Sequence, residues 1–342
     1  MTKSPAKMSC AGSTGNRYKV YVACDMGKAA MDVLRQSQIM DIDVNPKGGG
    51  IAWGGEVVAT NRKELLDNLL DKDGLIIWAG PNIDEEILSI CQRLKVIGSG
   101  NVVVDKEAAA THGIAVVMRP YVDVERVADH AWALLLSLAR RIPECDQQVK
   151  KDGRIFWSVM GLCGSDVFGR TLGIVGAGRI GAAVARRAIG FRMTVLYVDS
   201  KRNSALEAET GAQQVSLPEL LERSHYISLH LPVPEIGTQP LIGEAEIAQM
   251  KPSAYLINTS RGAWLDEDAL CRALAAGRLR GAALDVFTRE PVPSEELLHL
   301  PNVILTPHRA STTLEAREEM SLEICRGVVE TLKNWSRNKY LT

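Results

Sequence analysis

The chain has 342 residues, of which 46% are hydrophobic and 24% charged, with a formal net charge of −1. That length admits two domains and a sizeable core. The near-neutral balance, with Lys and Arg scattered, excludes the basic footprint of a nucleic-acid binder, and no apolar run approaches a membrane span.

Met1–Arg17 is polar, lacks the apolar stretch of a signal peptide, and is expected to be a mobile tail. The seven cysteines are isolated and form no CxxC pair. They point to a cytoplasmic, reducing setting and away from structural zinc or a disulfide scaffold, so no metal is expected. Short apolar runs then alternate with amphipathic segments, the pattern of parallel sheets covered by helices. Strands are predicted at Tyr18–Ala23, Leu75–Trp78, Leu94–Ile97 and Ala115–Met118, with helices at Lys63–Leu70 and Asp84–Gln92. The longest helical pattern is Val124–Ile142. Its apolar face is wide (Val127, Ala128, Ala131, Leu134, Leu135, Leu138), so it is either a core helix or one shared between domains or subunits. After Pro143 a second series begins, with strands at Thr171–Val175, Thr194–Val198, Tyr226–Leu229, Ala254–Asn258, Gly281–Val286 and Val303–Leu305. Six strands separated by helices fit a doubly wound sheet, and Thr313–Trp335 closes the chain as a helix.

Between the first two strands of this second series lies Gly176-Ala-Gly178-Arg-Ile-Gly181. A lone GxGxxG is weak, but this one follows a strand and opens a helix, and the next strand ends in an acid, Asp199. Gly176 permits the tight turn, Gly178 lets backbone approach a pyrophosphate, and Gly181 lets the helix pack closely. The helix N-terminus offers free N–H groups to phosphate. Asp199 suits the ribose hydroxyls and repels a 2′-phosphate, which favours NAD over NADP, although Lys201 and Arg202 follow directly.

A nicotinamide cofactor implies hydride transfer, which needs a proton donor or acceptor near neutral pH and an anchor for a polar substrate. In open α/β sheets the ligand lies at the carboxyl ends of the strands. There the sequence puts Arg261 past Asn258, Asp285 at a strand end with Glu290 following, and His308 past the last strand. Arginine presents paired donors to a carboxylate.

With Gly176–Gly181, Ile257-Asn-Thr-Ser-Arg-Gly262, Asp285-Val-Phe…Glu290-Pro291 and Thr306-Pro-His308, the chain resembles the D-isomer-specific 2-hydroxyacid dehydrogenases, in flavour the glyoxylate/hydroxypyruvate reductases. The likeness is specific from about Asp73 to Arg326. It implies an NAD-dependent enzyme acting on a small anionic 2-hydroxy or 2-keto acid. In it Arg261 binds the carboxylate and keto oxygen, His308 is the acid/base, and Glu290 bonds to the histidine and favours its charged form. It further implies cofactor contacts from Gly176, Gly178, Arg179, Ile180, Gly181, Asp199, Leu231, Pro232, Thr259, Ser260, Arg261, Asp285 and His308, with Asp285 near the carboxamide. The loop after His230 would pass the cofactor by its backbone, and substrate contacts would come from Gly100, Asn101, Arg261 and His308. The implied architecture is α/β: a flavodoxin-like substrate domain (18–118 and 311–342), a Rossmann NAD domain (119–310), an active-site cleft between them, and a homodimer built on the Val124–Ile142 helix.

Several positions depart from the pattern. Asp129 stands where the family usually has Glu, Gly98–Asp105 replaces the usual glycine loop, and Arg119 and Arg309 are extra cations. These two arginines either select a strongly anionic substrate or form surface ion pairs, with Asp123 or Glu315 as partners. His112, His130, His225 and His299 read as surface or structural residues. Two rival functions remain: a phosphite-oxidising relative, and an NAD(H)-sensing, corepressor-like interaction module.

Overall fold

Apolar runs of four or five residues become parallel strands here because helices cover both faces of each sheet, so no polar alternation is needed. The computed structural model describes residues 17–45, 60–100, 102–118, 123–153, 161–235 and 237–338. The chain divides into two units, at Tyr121/Val122 and again at Thr312/Thr313.

The first unit runs β1 (Tyr18–Val22), α1 (Lys28–Gln36), β2 (Met40–Val44), α2 (Arg62–Leu69), β3 (Gly74–Ile77), α3 (Glu85–Ile90), β4 (Val96–Ser99), α4 (Lys106–Thr111) and β5 (Ala115–Met118). Its five parallel strands are ordered β2-β1-β3-β4-β5, the flavodoxin-like order. Asn61, Asp84 and Asp105 cap α2, α3 and α4 through their side-chain oxygens. Arg17, assigned by sequence to the tail, bonds to the Met40 carbonyl at 2.7 Å and pairs with Asp41; residues 1–16 lie outside the described residues.

The second unit runs α5 (Val124–Ala139), α6 (Ile142–Asp152), β6 (Thr171–Val175), α7 (Arg179–Ala188), β7 (Thr194–Val198), α8 (Ser204–Thr210), β8 (Gln213–Gln214), α9 (Leu217–Arg223), β9 (Tyr226–Leu229), α10 (Glu244–Gln249), β10 (Tyr255–Asn258), α11 (Glu267–Ala275), β11 (Gly281–Leu284), α12 (Glu295–His299) and β12 (Val303–Leu305). Its seven parallel strands are ordered β8-β7-β6-β9-β10-β11-β12, the Rossmann order extended by one strand. The final helix, α13 (Leu314–Asn338), returns to the first unit and packs on α1, β4 and β5.

The helix predicted over Val124–Ile142 ends three residues early, at Ala139, and a second helix starts at Ile142. α5 stops at Ala139, Arg141 takes a left-handed φ of 52°, and Pro143 sits in the first turn of α6, where its missing N–H costs nothing. The wide apolar face of α5 packs on α7, β10, β11 and β12 of its own unit, with Trp132 stacked on Phe191 at 4.7 Å. This is what a core helix does. Among the described residues, no helix is long and apolar enough to cross a membrane, and no cluster of His, Cys, Asp and Glu is placed to hold a metal.

Candidate active site

β6 hands the chain to α7 through the glycine loop, and each glycine has a separate reason. Gly176 has φ 95°, and a Cβ there would lie 2.6 Å from the His230 carbonyl oxygen. A Cβ on Gly181 would lie 2.0 Å from the Gly176 carbonyl oxygen, so that position also tolerates no side chain. Gly178 is different: nothing lies within 4 Å of where its Cβ would be. The fold does not require a glycine there, but a ligand approaching the backbone does. Gly178 also begins α7 without a side-chain cap. The first-turn amides of Arg179, Ile180 and Gly181 therefore have no intrahelical or capping acceptor, which is a phosphate site in waiting.

Asp199 follows β7. Its Oδ2 accepts the Ala177 amide of the glycine loop at 2.8 Å, and its Oδ1 accepts the Lys201 amide at 3.1 Å. The acid thus shapes the loop as well as charging its surroundings. Arg202, which sequence alone left available beside Asp199, is bound by Glu207 at 2.8 and 2.9 Å. Glu207, held by Arg202 and then by the Tyr197 hydroxyl, stays below the usual carboxylate range.

On the neighbouring strand ends two buried polar atoms have no partner in the protein: Nδ1 of His230 after β9 and Oγ1 of Thr259 after β10. An orphaned buried polar group costs about 1–3 kcal/mol, so two on one crest are groups that a ligand bound there would satisfy. Together with the room at Gly178 and the uncapped α7, they fit a nicotinamide dinucleotide. Burial pushes the His230 imidazole down to about 3, so the ring is neutral at working pH, and its Nε2 meets Ser228 Oγ at 2.8 Å. Leu231 and Pro232 continue the same crest, and the Pro232 carbonyl accepts the Trp264 indole N–H at 2.7 Å.

Arg261 is presented by a turn built on Asn258, which is fully buried. The Asn258 Oδ1 accepts the Ser260 amide at 3.0 Å and its hydroxyl at 2.8 Å, while Nδ2 donates to the Arg261 carbonyl at 3.0 Å. Arg261 itself is exposed, its Nη1 touching the Ser260 carbonyl at 2.6 Å. A Cβ on Gly262 would lie 2.0 Å from the Phe287 carbonyl carbon, so the loops after β10 and β11 are in close contact. The buried Glu267 accepts the Thr288 amide and fixes the second of these loops. Glu290 follows: its Oε1 accepts the Phe287 amide at 3.2 Å, and its Oε2 meets Nδ1 of His308 at 2.8 Å. His308 has φ 51°, its side chain is 48% exposed, and Nε2 is the ring nitrogen left for a substrate.

Asp285, expected among the cofactor contacts, is fully buried and committed to the loop after β12. Its Oδ1 accepts the Thr306 hydroxyl at 2.5 Å and the Arg309 amide at 2.7 Å; its Oδ2 accepts the Ala310 amide at 2.7 Å. His130 Nε2 stands 3.4 Å from Oδ1 and 3.2 Å from Thr306 Oγ1. Burial alone would raise this carboxyl, but the bonds from His130, Thr306 and the two amides outweigh it and hold it low.

The structure therefore brings Arg261, Asp285, Glu290 and His308 onto adjacent strand ends, β10 to β12. It adds Glu267, which sequence reasoning passed over, and His130, which it read as a surface or structural residue; Asn258 and Thr306 lay within the motifs but were given no role. His225 accepts the Thr171 amide, His112 pairs with Glu85 and His299 is exposed. Asp129 and Glu125 both bind Arg187. Gly100 lies in the first unit, where its amide is spent on the Ile77 carbonyl at 2.9 Å, so it offers no N–H to a carboxylate. Asn101 and Arg119 lie outside the described residues. Arg309 is exposed, and Asp123, one candidate partner for it, is taken by Arg126.

Residues 132–310 match the model of the D-isomer specific 2-hydroxyacid dehydrogenase, NAD binding domain. A glyoxylate reductase of Korarchaeum cryptofilum is 42% identical over 274 residues, 79% of this chain and 82% of its own. One from Thermococcus gammatolerans is 39% identical over 319 residues, covering 91% and 92%. The crystal structure of a glyoxylate reductase from Paecilomyes thermophila superposes with TM-score 0.69 at 30% identity, over 92% of this chain and 96% of that one.

Proposed function

This chain belongs to the D-isomer specific 2-hydroxyacid dehydrogenases, and from that premise we propose that its working reaction is reduction of a small 2-keto acid of the glyoxylate or hydroxypyruvate type. It is an NAD-dependent oxidoreductase, and bound NADH supplies the hydride that the keto carbon accepts. Arg261 grips the substrate carboxylate and the keto oxygen through its paired donors, which fixes the carbonyl and stabilises charge as it grows on oxygen. His308 gives the proton from Nε2 to that oxygen as the C=O π bond opens. Glu290 holds the imidazole by Nδ1, which leaves Nε2 as the nitrogen that faces the substrate. In the reverse direction His308 takes the hydroxyl proton. The Glu290–His308 pair, on the strand end next to the loop that carries Glu290, is the observation that carries this reading.

The dinucleotide is held in this reading by residues 119–310, through Gly176 to Gly181, Asp199, Leu231, Pro232, Thr259 and Ser260. NADH is favoured over NADPH because Asp199 is acidic and Arg202 is already bound by Glu207. Cys24, Cys91, Cys271 and Cys325 are buried as free thiols, which supports a cytoplasmic location. The homodimer rests on family resemblance alone and is checked by sedimentation.

The test is NADH consumption with glyoxylate, hydroxypyruvate and a keto diacid, and NAD+ reduction with D-2-hydroxy acids and phosphite. Turnover of glyoxylate or hydroxypyruvate is expected. Activity confined to phosphite, or none with any of these acids, overturns the substrate assignment.

A further inference from the structure

The loop that carries His308 is organised around one buried carboxylate, and the outermost member of that arrangement comes from a distant helix. His308 is a non-glycine residue at φ 51°, a conformation that persists only where its surroundings impose it. Bonds to Asp285 bracket it on both sides: the Thr306 hydroxyl before it, and the Arg309 and Ala310 amides after it. Asp285 itself is fully buried at the end of β11. Thr306 has a single hydroxyl proton, and at 2.5 Å that proton belongs to Asp285. Toward His130 the same oxygen therefore accepts, and Nε2 of His130 is the donor, at 3.2 Å. The same N–H stands 3.4 Å from Asp285 Oδ1. His130 is carried by α5, which packs against β10, β11 and β12 together. The helix beneath the three site-bearing strands thus reaches the catalytic loop through one histidine.

We propose that His130 is a positioning residue for catalysis: by donating from Nε2 to Thr306 it fixes the Thr306–Asp285 bond and hence the left-handed placement of His308. The proposal rests on the reading of His308 as the proton donor. It gives Asp285 a role in shaping the loop through both of its carboxylate oxygens. Without the imidazole N–H, Thr306 is free to turn its hydroxyl elsewhere, and the buried carboxylate loses two of its donors. The consequence is a misaimed His308 with the dinucleotide site intact, because Gly176–Gly181 and Thr259 take no part in this chain of bonds.

The experiment uses the full chain with whichever keto acid the wild type reduces. His130→Leu, His130→Gln, Thr306→Val and the double variant His130→Leu/Thr306→Val are compared for kcat, KM for each substrate and NADH affinity by fluorescence. His130→Leu and Thr306→Val are each expected to lower kcat by about 10- to 100-fold, the scale of a small misplacement of a reacting group, with NADH affinity within about twofold of wild type. The double variant is expected to be no slower than Thr306→Val, since both act through one bond. His130→Gln, which keeps an N–H donor, is expected to recover most of the loss. Hydrogen exchange of the 303–312 peptide needs no substrate and is expected to quicken in His130→Leu. That readout also serves if the keto-acid assignment fails, and Thr306→Val serves if His130→Leu does not fold. Wild-type kcat in His130→Leu, equal losses in the Leu and Gln variants, multiplied losses in the double variant, or unchanged exchange would each overturn the proposal.

Discussion

The two units are built alike, as parallel sheets wound on both faces, yet their strand ends differ in one physical respect. In the first unit the described residues past β4 satisfy themselves: Ser99 Oγ donates to the Val102 carbonyl at 2.7 Å, the Gly100 amide donates to Ile77, and Gly100 is pressed against the Trp78 ring. In the second unit the crest is left unfinished. Thr259 Oγ1 and His230 Nδ1 have no partner, Gly178 faces open space, and half of the His308 side chain is exposed. A doubly wound sheet is therefore only a platform. Binding and chemistry follow from which polar groups at its carboxyl edge are left unspent.

The largest effect that can break this contrast is on the chemistry of the unfinished crest. His308→Ala and Arg261→Ala are each expected to lower kcat by about 10²–10⁴-fold while NADH binding survives, measured by steady-state kinetics and fluorescence titration. Near-normal kcat in His308→Ala would remove the assignment. Glu290→Gln should be milder. It removes the charge but keeps an acceptor beside Nδ1, now 2.8 Å from the carboxylate, so kcat is expected to fall by less than in His308→Ala, with NADH affinity unchanged.

Next in size is the open space itself. Gly178→Ala puts a Cβ into it with no atom of the fold within 4 Å, so NADH affinity is expected to fall by about 10-fold, the order of one lost charged hydrogen bond, with a Tm close to wild type. Unchanged affinity by calorimetry would mean that the space is not where the cofactor lies. A smaller change separates the two dinucleotides. Asp199→Ser removes the charge but keeps an acceptor for the Ala177 amide, and kcat/KM for NADPH is expected to rise several-fold. Adding Glu207→Gln releases Arg202 and is expected to raise it further. Equal use of both cofactors by the wild type would contradict the role given to Asp199.

The smallest effect belongs to the finished crest. Gly100→Ala places a Cβ 2.7 Å from the Trp78 ring, and such overpacking is expected to cost about 1–3 kcal/mol, read as a lower Tm. NADH affinity should not move. A change in affinity there would show that the first unit's strand ends are less self-contained than their hydrogen bonds indicate.

Much of this was written locally. Strands such as Tyr226–Leu229 and Gly281–Leu284 are buried at every position, so they stand out as continuous apolar runs. The strands passed over are edges: Met40–Val44, with only Met40 buried, and the two glutamines of β8, which carry no apolar signal. The glycine loop, Arg261, Glu290 and His308 were legible because each sits in a short motif beside a strand end. Asp285 was legible as a candidate site residue, but its occupation was not, because its partners come from the loop after β12 and from a helix far back in the chain.

Sequence by itself determined the two doubly wound sheets, the dinucleotide loop and which polar residues stand at the strand ends, since periodicity and spacing act over a few residues and survive without the fold. Tertiary structure alone decided that α5 buries its wide face within its own unit and that Gly100 has no free amide. It alone also decided that His130 meets Thr306 across 176 residues. Hydrogen bonds between distant residues depend on strand order and register, and no local pattern in the chain records which polar group another will reach once the sheet has formed.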